Sequence, residues 1–161
     1  MNLKSIIAAA ALALTATTAT AETQVHKLHS YKHWIVEFNQ RNASAWCSAS
    51  NGNFILNADN AGNYEIQIFV PGADFGDHRA PFSVAIDNLA MWTQKTAQYY
   101  KQSIFTGGIK TEILVEMARG QRIHTFNSKG QHVSTYSLAG STAAIKALAD
   151  CGSKLPKGAV Y

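Results

Sequence analysis

Short segments in which apolar and polar residues alternate predict a chain built mainly of β-strands. The clearest is residues 64–70, where Tyr64, Ile66, Ile68 and Val70 would share one face. Segments rich in aromatic and β-branched residues predict further strands at 33–38, 45–49, 54–58, 82–86, 122–126 and 132–138. Residues 71–81 begin with Pro-Gly and end with Ala-Pro, which predicts a loop.

Two segments have the spacing of helices. Residues 111–118 place apolar side chains on one face, with Thr111 as a possible N-cap and Gly120 at the end. Residues 142–150 follow Ser141, which has the side chain of an N-cap, and their apolar stripe continues to Cys151. The pattern therefore predicts a short helix and a C-terminal helix.

Residues 89–105 allow two interpretations. Leu89, Trp92, Thr96 and Tyr99 have helical spacing, whereas the Thr and Tyr content is typical of strands. Two strands are favoured because everything before this segment is β. The expected fold is mainly β, either a β-sandwich or a twisted antiparallel sheet, with the two helices added in a single domain, residues 22–161.

Residues 1–21 differ from the rest and predict a signal peptide. Lys4 precedes an uncharged apolar run, and small residues lead to Ala21, the expected cleavage site. A retained N-terminal anchor is the alternative, but the run is shorter than the roughly 18 residues that span a bilayer. Cleavage removes Lys4 and lowers the net charge from +4 to +3. The mature chain, without another transmembrane segment, would be periplasmic or secreted.

Cys47 and Cys151 are the only two cysteines in the sequence and lie 104 positions apart. An oxidising compartment favours joining them, and two independent buried thiols are the alternative. A bridge would tie the C-terminal helix to an early strand and leave no thiol as a nucleophile.

The C-terminal third resembles a known family. A short helix ending at Gly120 is followed by two strands and by Tyr-Ser-Leu-Ala-Gly-Ser-Thr-Ala-Ala-Ile at 136–145. This order is similar to the closing segment of the invasion-associated locus B family of small exported bacterial proteins. The resemblance implies an exported β-rich domain without a known catalytic centre and supplies no functional residues. The chain departs from that family in lacking a cysteine pair in the middle of the domain.

A histidine cluster near the mature N-terminus is a candidate metal site. His26, His29 and His33 would share one face of a helix and could bind Zn²⁺ or Cu²⁺. In a strand, His29 and His33 would share a face but His26 would not. Solvent-facing histidines leading into the first strand are the alternative.

Residues 74–79 are the most densely charged segment and form a candidate ligand-binding loop, with Asp74, Asp77, His78 and Arg79 as the candidate residues. A solvated loop is the alternative. No motif for a nucleotide, a hydrolase nucleophile or a cofactor is present, so we expect no enzyme and no cofactor.

The positive charges are scattered singly, which argues against nucleic-acid binding. We expect a non-enzymatic exported domain that binds a protein or a cell-envelope component. A periplasmic small-ligand or metal-binding protein is the alternative, and an exported hydrolase the third hypothesis.

Overall fold

A computed structural model describes residues 22–89 and 91–156, so the predicted signal peptide lies outside the described residues. Within this part of the chain, ten strands form one antiparallel sheet in the order β1-β2-β3-β4-β5-β8-β7-β6-β9-β10. The strands are β1 (Gln24–Tyr31), β2 (Trp34–Arg41), β3 (Ser44–Asn51), β4 (Phe54–Ala58), β5 (Tyr64–Phe69), β6 (Asp77–Ile86), β7 (Trp92–Tyr100), β8 (Ser103–Thr106), β9 (Arg122–Phe126) and β10 (His132–Ser137). Helix α1 (Thr111–Arg119) precedes β9, and helix α2 (Ser141–Gly152) follows β10.

The predicted mainly β fold with a short and a C-terminal helix is confirmed, and its strands form one sheet. The ambiguous residues 89–105 contain β7 and all but the last residue of β8, as the favoured interpretation required. The predicted loop 71–81 is too long, because β6 already begins at Asp77 and pairs with β7. Strand β1 was not predicted, because its side chains are almost all exposed and show no burial pattern.

The sheet curls strongly around its apolar face. Six steps in strand order separate β4 from β10, which in a flat sheet would be about 29 Å at roughly 4.8 Å per strand. Yet the rings of Phe54 on β4 and Tyr136 on β10 have centroids 5.3 Å apart. The Asn51 side-chain amide also donates to the Ser137 carbonyl at 2.6 Å. The sheet therefore bends until its last strand meets the β3–β4 hairpin.

The concave face of this sheet holds the core and both helices. Alternate residues of β2 to β9 point inward, most of them fully buried, and the buried faces of α1 and α2 complete the core. Cys47 on β3 is bonded to Cys151 on α2, with Cα atoms 6.0 Å apart, as the sequence predicted. The bridge attaches the C-terminal helix to the centre of the first half of the sheet.

The N-caps predicted for both helices are wrong, although α1 does end at Gly120, and tertiary contacts explain one of the two N-caps. Ser141 is the first residue of α2, and its hydroxyl donates to the Met117 carbonyl at 2.7 Å instead of capping its own helix. Gly140 takes the N-cap position with φ +94°, and a Cβ there would lie 2.6 Å from the Tyr31 carbonyl oxygen. Lys110, not Thr111, precedes α1, and its side chain makes no capping hydrogen bond.

Candidate functional site

A groove between β1 and α2, which we call the β1–α2 groove, is a concave and mainly apolar site in the described residues. Its cavity volume is about 580 Å³, within the roughly 300–1,000 Å³ of small-molecule sites. Apolar side chains make up most of its wall: Leu28 and Tyr31 on β1, Phe38 on β2, Ala143 and Ala147 on α2, and Leu155. It is therefore suited to an apolar ligand.

The groove exists because β1 extends the sheet past the helix. β1 is the edge strand and pairs only with β2, and most of its side chains remain exposed. The helix presents the small residues Ala143 and Ala147 toward the gap. Cys151, which also lines the groove, is held in place by its bond to Cys47. One side of the groove is thus fixed covalently to the sheet.

Charged side chains of α2 and of the segment after it line the groove. Lys146 and Asp150 lie one helical turn apart, and Lys154 follows just after the helix end. All three residues are exposed. Two ammonium groups against one carboxylate leave a positive balance, which favours an anionic group on a ligand. Lys146 lies four residues before Asp150, so these two charges partly offset each other.

The predicted histidine cluster is divided between β1 and the following turn. His26 is opposite Phe38 and His29 is opposite Val36, with a bulge between Lys27 and His29. Phe38 and Val36 share the inner face of β2, so His26 and His29 also share a face. The strand-based expectation, which put His26 on the other face, is wrong because the bulge inserts one residue.

His33 lies outside this pair, in the turn between β1 and β2. In residues 22–89 and 91–156, no three His, Cys, Asp or Glu side chains are grouped as metal ligands would be. Metal binding by His26, His29 and His33 stays a prediction. The structure does place His29 at the β1–α2 groove, where its ring stacks with Tyr31 at 5.7 Å.

The structure does not bring the predicted Asp74 to Arg79 group together as one site. Gln98 joins Asp77 and Arg79 through side-chain hydrogen bonds of 2.7 and 3.3 Å. The His78 ring stacks instead on Tyr99 at 5.0 Å. Asp74 accepts a hydrogen bond from the Gly76 backbone N–H at 3.1 Å. Ligand binding by these residues stays a prediction.

A row of polar side chains on the outer face of β2 to β5 was not predicted. Asn39 donates to the Ser48 hydroxyl at 2.9 Å, and Asn57 donates to Glu65 at 3.3 Å. Burial raises the pKa of Glu65, and the hydrogen bond from Asn57 offsets only part of that effect. These side chains form hydrogen bonds with one another.

The residues of the β1–α2 groove come from both ends of the chain, so no local motif could have indicated it. Leu28 and Phe38 lie more than 100 positions before Lys146 and Leu155. The one signal that joined these regions was the cysteine pair. Among the described residues, no helix is both long and apolar enough to cross a bilayer.

Comparison of the chain with protein-family models, with curated proteins and with solved structures finds no match. The resemblance to the invasion-associated locus B family stays a prediction.

Proposed function

We propose that this protein is a non-enzymatic binding protein of the cell envelope, periplasmic or secreted, that holds an anionic single-chain amphiphile in the β1–α2 groove. The observation that carries the proposal is the apolar cavity of about 580 Å³ with two lysines among its lining residues. The Cys47–Cys151 bond supports an oxidising compartment.

The apolar wall supplies the affinity. Each methylene transferred from water to such a wall contributes about 0.8 kcal/mol when fully buried. Leu28, at 43% exposure, and the ring of Phe38 offer apolar surface that the protein itself leaves uncovered. An acyl chain along the groove would cover both side chains.

The lysines supply the preference for an anion. Lys146 and Lys154 are exposed, so their charges are solvated until a head group approaches. A carboxylate or phosphate at this position would form charge-assisted hydrogen bonds with them. The uncharged analogue of the same chain length would bind through the apolar wall alone.

A protein partner that adds a strand to β1 is the competing occupant of this region. The bulge between Lys27 and His29 interrupts the straight edge that strand addition needs. Lys27 is a charged residue on the same edge strand, and such charges oppose pairing between edges. The apolar groove is therefore the better-formed binding site.

Calorimetric titration of the purified protein with octanoate, dodecanoate and dodecanol tests the proposal. Four added methylenes should tighten binding of dodecanoate over octanoate by about 10- to 100-fold, below the fully buried limit because the groove is open. Dodecanol should bind more weakly than dodecanoate. If dodecanoate and dodecanol bind equally well, the preference for an anionic head group is wrong. If none of the three compounds binds, the whole proposal is wrong.

Variants locate the site. Ala143→Trp should block the groove, whereas Thr111→Trp, at an exposed position on α1, should bind dodecanoate as the wild type does. Lys154→Glu should weaken dodecanoate but not dodecanol, and Lys95→Glu on β7 is its matched control. If the Ala143 and Thr111 variants bind equally well, the ligand lies elsewhere.

A further inference from the structure

Two histidines on β9 and β10 point at one atom. A 2.8 Å hydrogen bond joins the Nδ1 atom of His124 to the Thr135 hydroxyl, and a second 2.8 Å hydrogen bond joins Nε2 of His132 to the same oxygen. The imidazole centroids are 6.1 Å apart. No motif predicted this arrangement, and it lies at the opposite edge of the sheet order from β1.

A bulge produces this convergence. His124 is opposite Thr135 in the register of β9 and β10, and His132 is opposite Phe126. The register shifts between His132 and Ser134, so His132 and Thr135, three positions apart, lie on the same face as His124. The ring of Phe126 meets that of His132 edge to face at 5.8 Å, which restricts its orientation.

A hydroxyl carries one hydrogen, so Thr135 can donate to only one of the two nitrogens and must accept from the other. Two imidazole nitrogens directed at one point are also the arrangement that binds a transition metal. Metal–nitrogen bonds of about 2.0–2.1 Å would require each nitrogen to move inward by less than about 1 Å from the present hydrogen-bond distance. Thr135 is exposed, so its hydroxyl is free to rotate away.

We propose that His124 and His132 form a two-histidine site for a divalent transition metal, with Cu²⁺ preferred and the Thr135 hydroxyl displaced on binding. One of the two facing nitrogens now donates its hydrogen to Thr135, so that imidazole changes tautomer on binding, and both neutral rings then use the facing nitrogens as ligands with their hydrogens on the outer nitrogens. Water completes the coordination, since no group of three His, Cys, Asp or Glu exists in the described residues. Ca²⁺ and Mg²⁺ prefer oxygen ligands and should not compete.

The relative affinities for different metal ions distinguish a histidine site from a surface that binds cations nonspecifically. Imidazole sites bind Cu²⁺ more tightly than Ni²⁺ or Zn²⁺. Titration of the purified protein with each metal alone, by calorimetry, should give that order. Cu²⁺ should also give an electron paramagnetic resonance spectrum with coupling to two nitrogens.

Single variants test the assignment. His124→Ala and His132→Ala should each weaken Cu²⁺ binding by about tenfold or more, because each leaves a single imidazole. Thr135→Ala should keep the affinity or raise it, since it removes only the competing hydrogen bond. This variant distinguishes ligand histidines from histidines that merely support the fold. If Thr135→Ala loses Cu²⁺ binding, the proposal that the metal displaces the Thr135 hydroxyl is wrong.

Controls use the other histidines. His78→Ala changes a ring that stacks on Tyr99 and should leave Cu²⁺ binding unchanged. The double variant His26→Ala, His29→Ala removes the β1 pair and should also keep the two-nitrogen spectrum. If Cu²⁺ binding is lost with the β1 pair and retained in both β9–β10 variants, or if all variants bind alike, the proposal is wrong. An unchanged urea midpoint of unfolding shows that each variant is folded.

Discussion

Replacing Gly140 by alanine should destabilise the protein more than the same change at Gly130. Both glycines have positive φ, +94° and +72°, so an alanine at either position takes a left-handed backbone that costs about 1–2 kcal/mol. The surroundings differ. A Cβ at Gly130 meets nothing within 4 Å, whereas one at Gly140 would lie 2.6 Å from the Tyr31 carbonyl oxygen.

Relieving that overlap requires the start of α2 to move away from the β1–β2 turn, and overpacking of this kind adds about 1–3 kcal/mol. The expected loss in the free energy of unfolding is about 2–5 kcal/mol for Gly140→Ala and about 1–2 kcal/mol for Gly130→Ala. Urea unfolding followed by circular dichroism measures both. With a typical slope of about 2 kcal/mol per molar, the midpoints of the two variants should differ by about 1 M. Equal midpoints would refute the close approach of α2 to Tyr31.

Two further predictions concern Glu65 and the disulfide. Burial raises the pKa of Glu65, so ionisation of this carboxyl group destabilises the folded state. The free energy of unfolding therefore falls as the pH rises from the ordinary pKa of about 4.3 through the raised pKa of the folded state. Glu65→Gln should therefore raise the urea midpoint at pH 7 and leave it unchanged well below pH 4; an equal gain at both pH values would contradict the sign. Replacing both Cys47 and Cys151 by alanine opens a loop of 104 residues and should lower the free energy of unfolding by about 4–5 kcal/mol. If the free energy of unfolding falls by less than about 1 kcal/mol in the same assay, the bond does not stabilise the protein by lowering the entropy of the unfolded chain.

The strands that could be predicted from the sequence are those that bury apolar side chains on at least one face. β4 has the predicted bounds, and β5 follows its alternation because Ile66 and Ile68 face the core. β1 has no such pattern, since it extends the sheet beyond α2 and buries almost nothing. Local sequence indicates a strand through the burial of its side chains, and an overhanging edge strand lacks that signal.

The candidate sites depended on features with no local signal. A bulge reverses the face of every residue beyond it, which is why His26 and His29 share a face against the period of two. The same device places His132 beside Thr135. The cap assigned to Ser141 failed because the Met117 carbonyl, 24 positions earlier, takes its hydroxyl hydrogen. The disulfide could be predicted without knowledge of the fold, because it followed from two cysteines and an expected oxidising compartment.

The disulfide divides the described chain into a closed ring, an N-terminal arm before Cys47 and a short tail after Cys151. Every strand from β4 to β10 and both helices up to Cys151 belong to the ring, whereas the β1–β2 hairpin precedes Cys47 and lies outside it. The two walls of the β1–α2 groove therefore differ in how they can move. The α2 wall is tethered covalently to β3. The β1 wall is held by hydrogen bonds to β2, which in turn pairs with β3. Amide hydrogens of β1 should exchange with solvent without unfolding of the ring, so the groove can widen on its β1 side while α2 stays fixed.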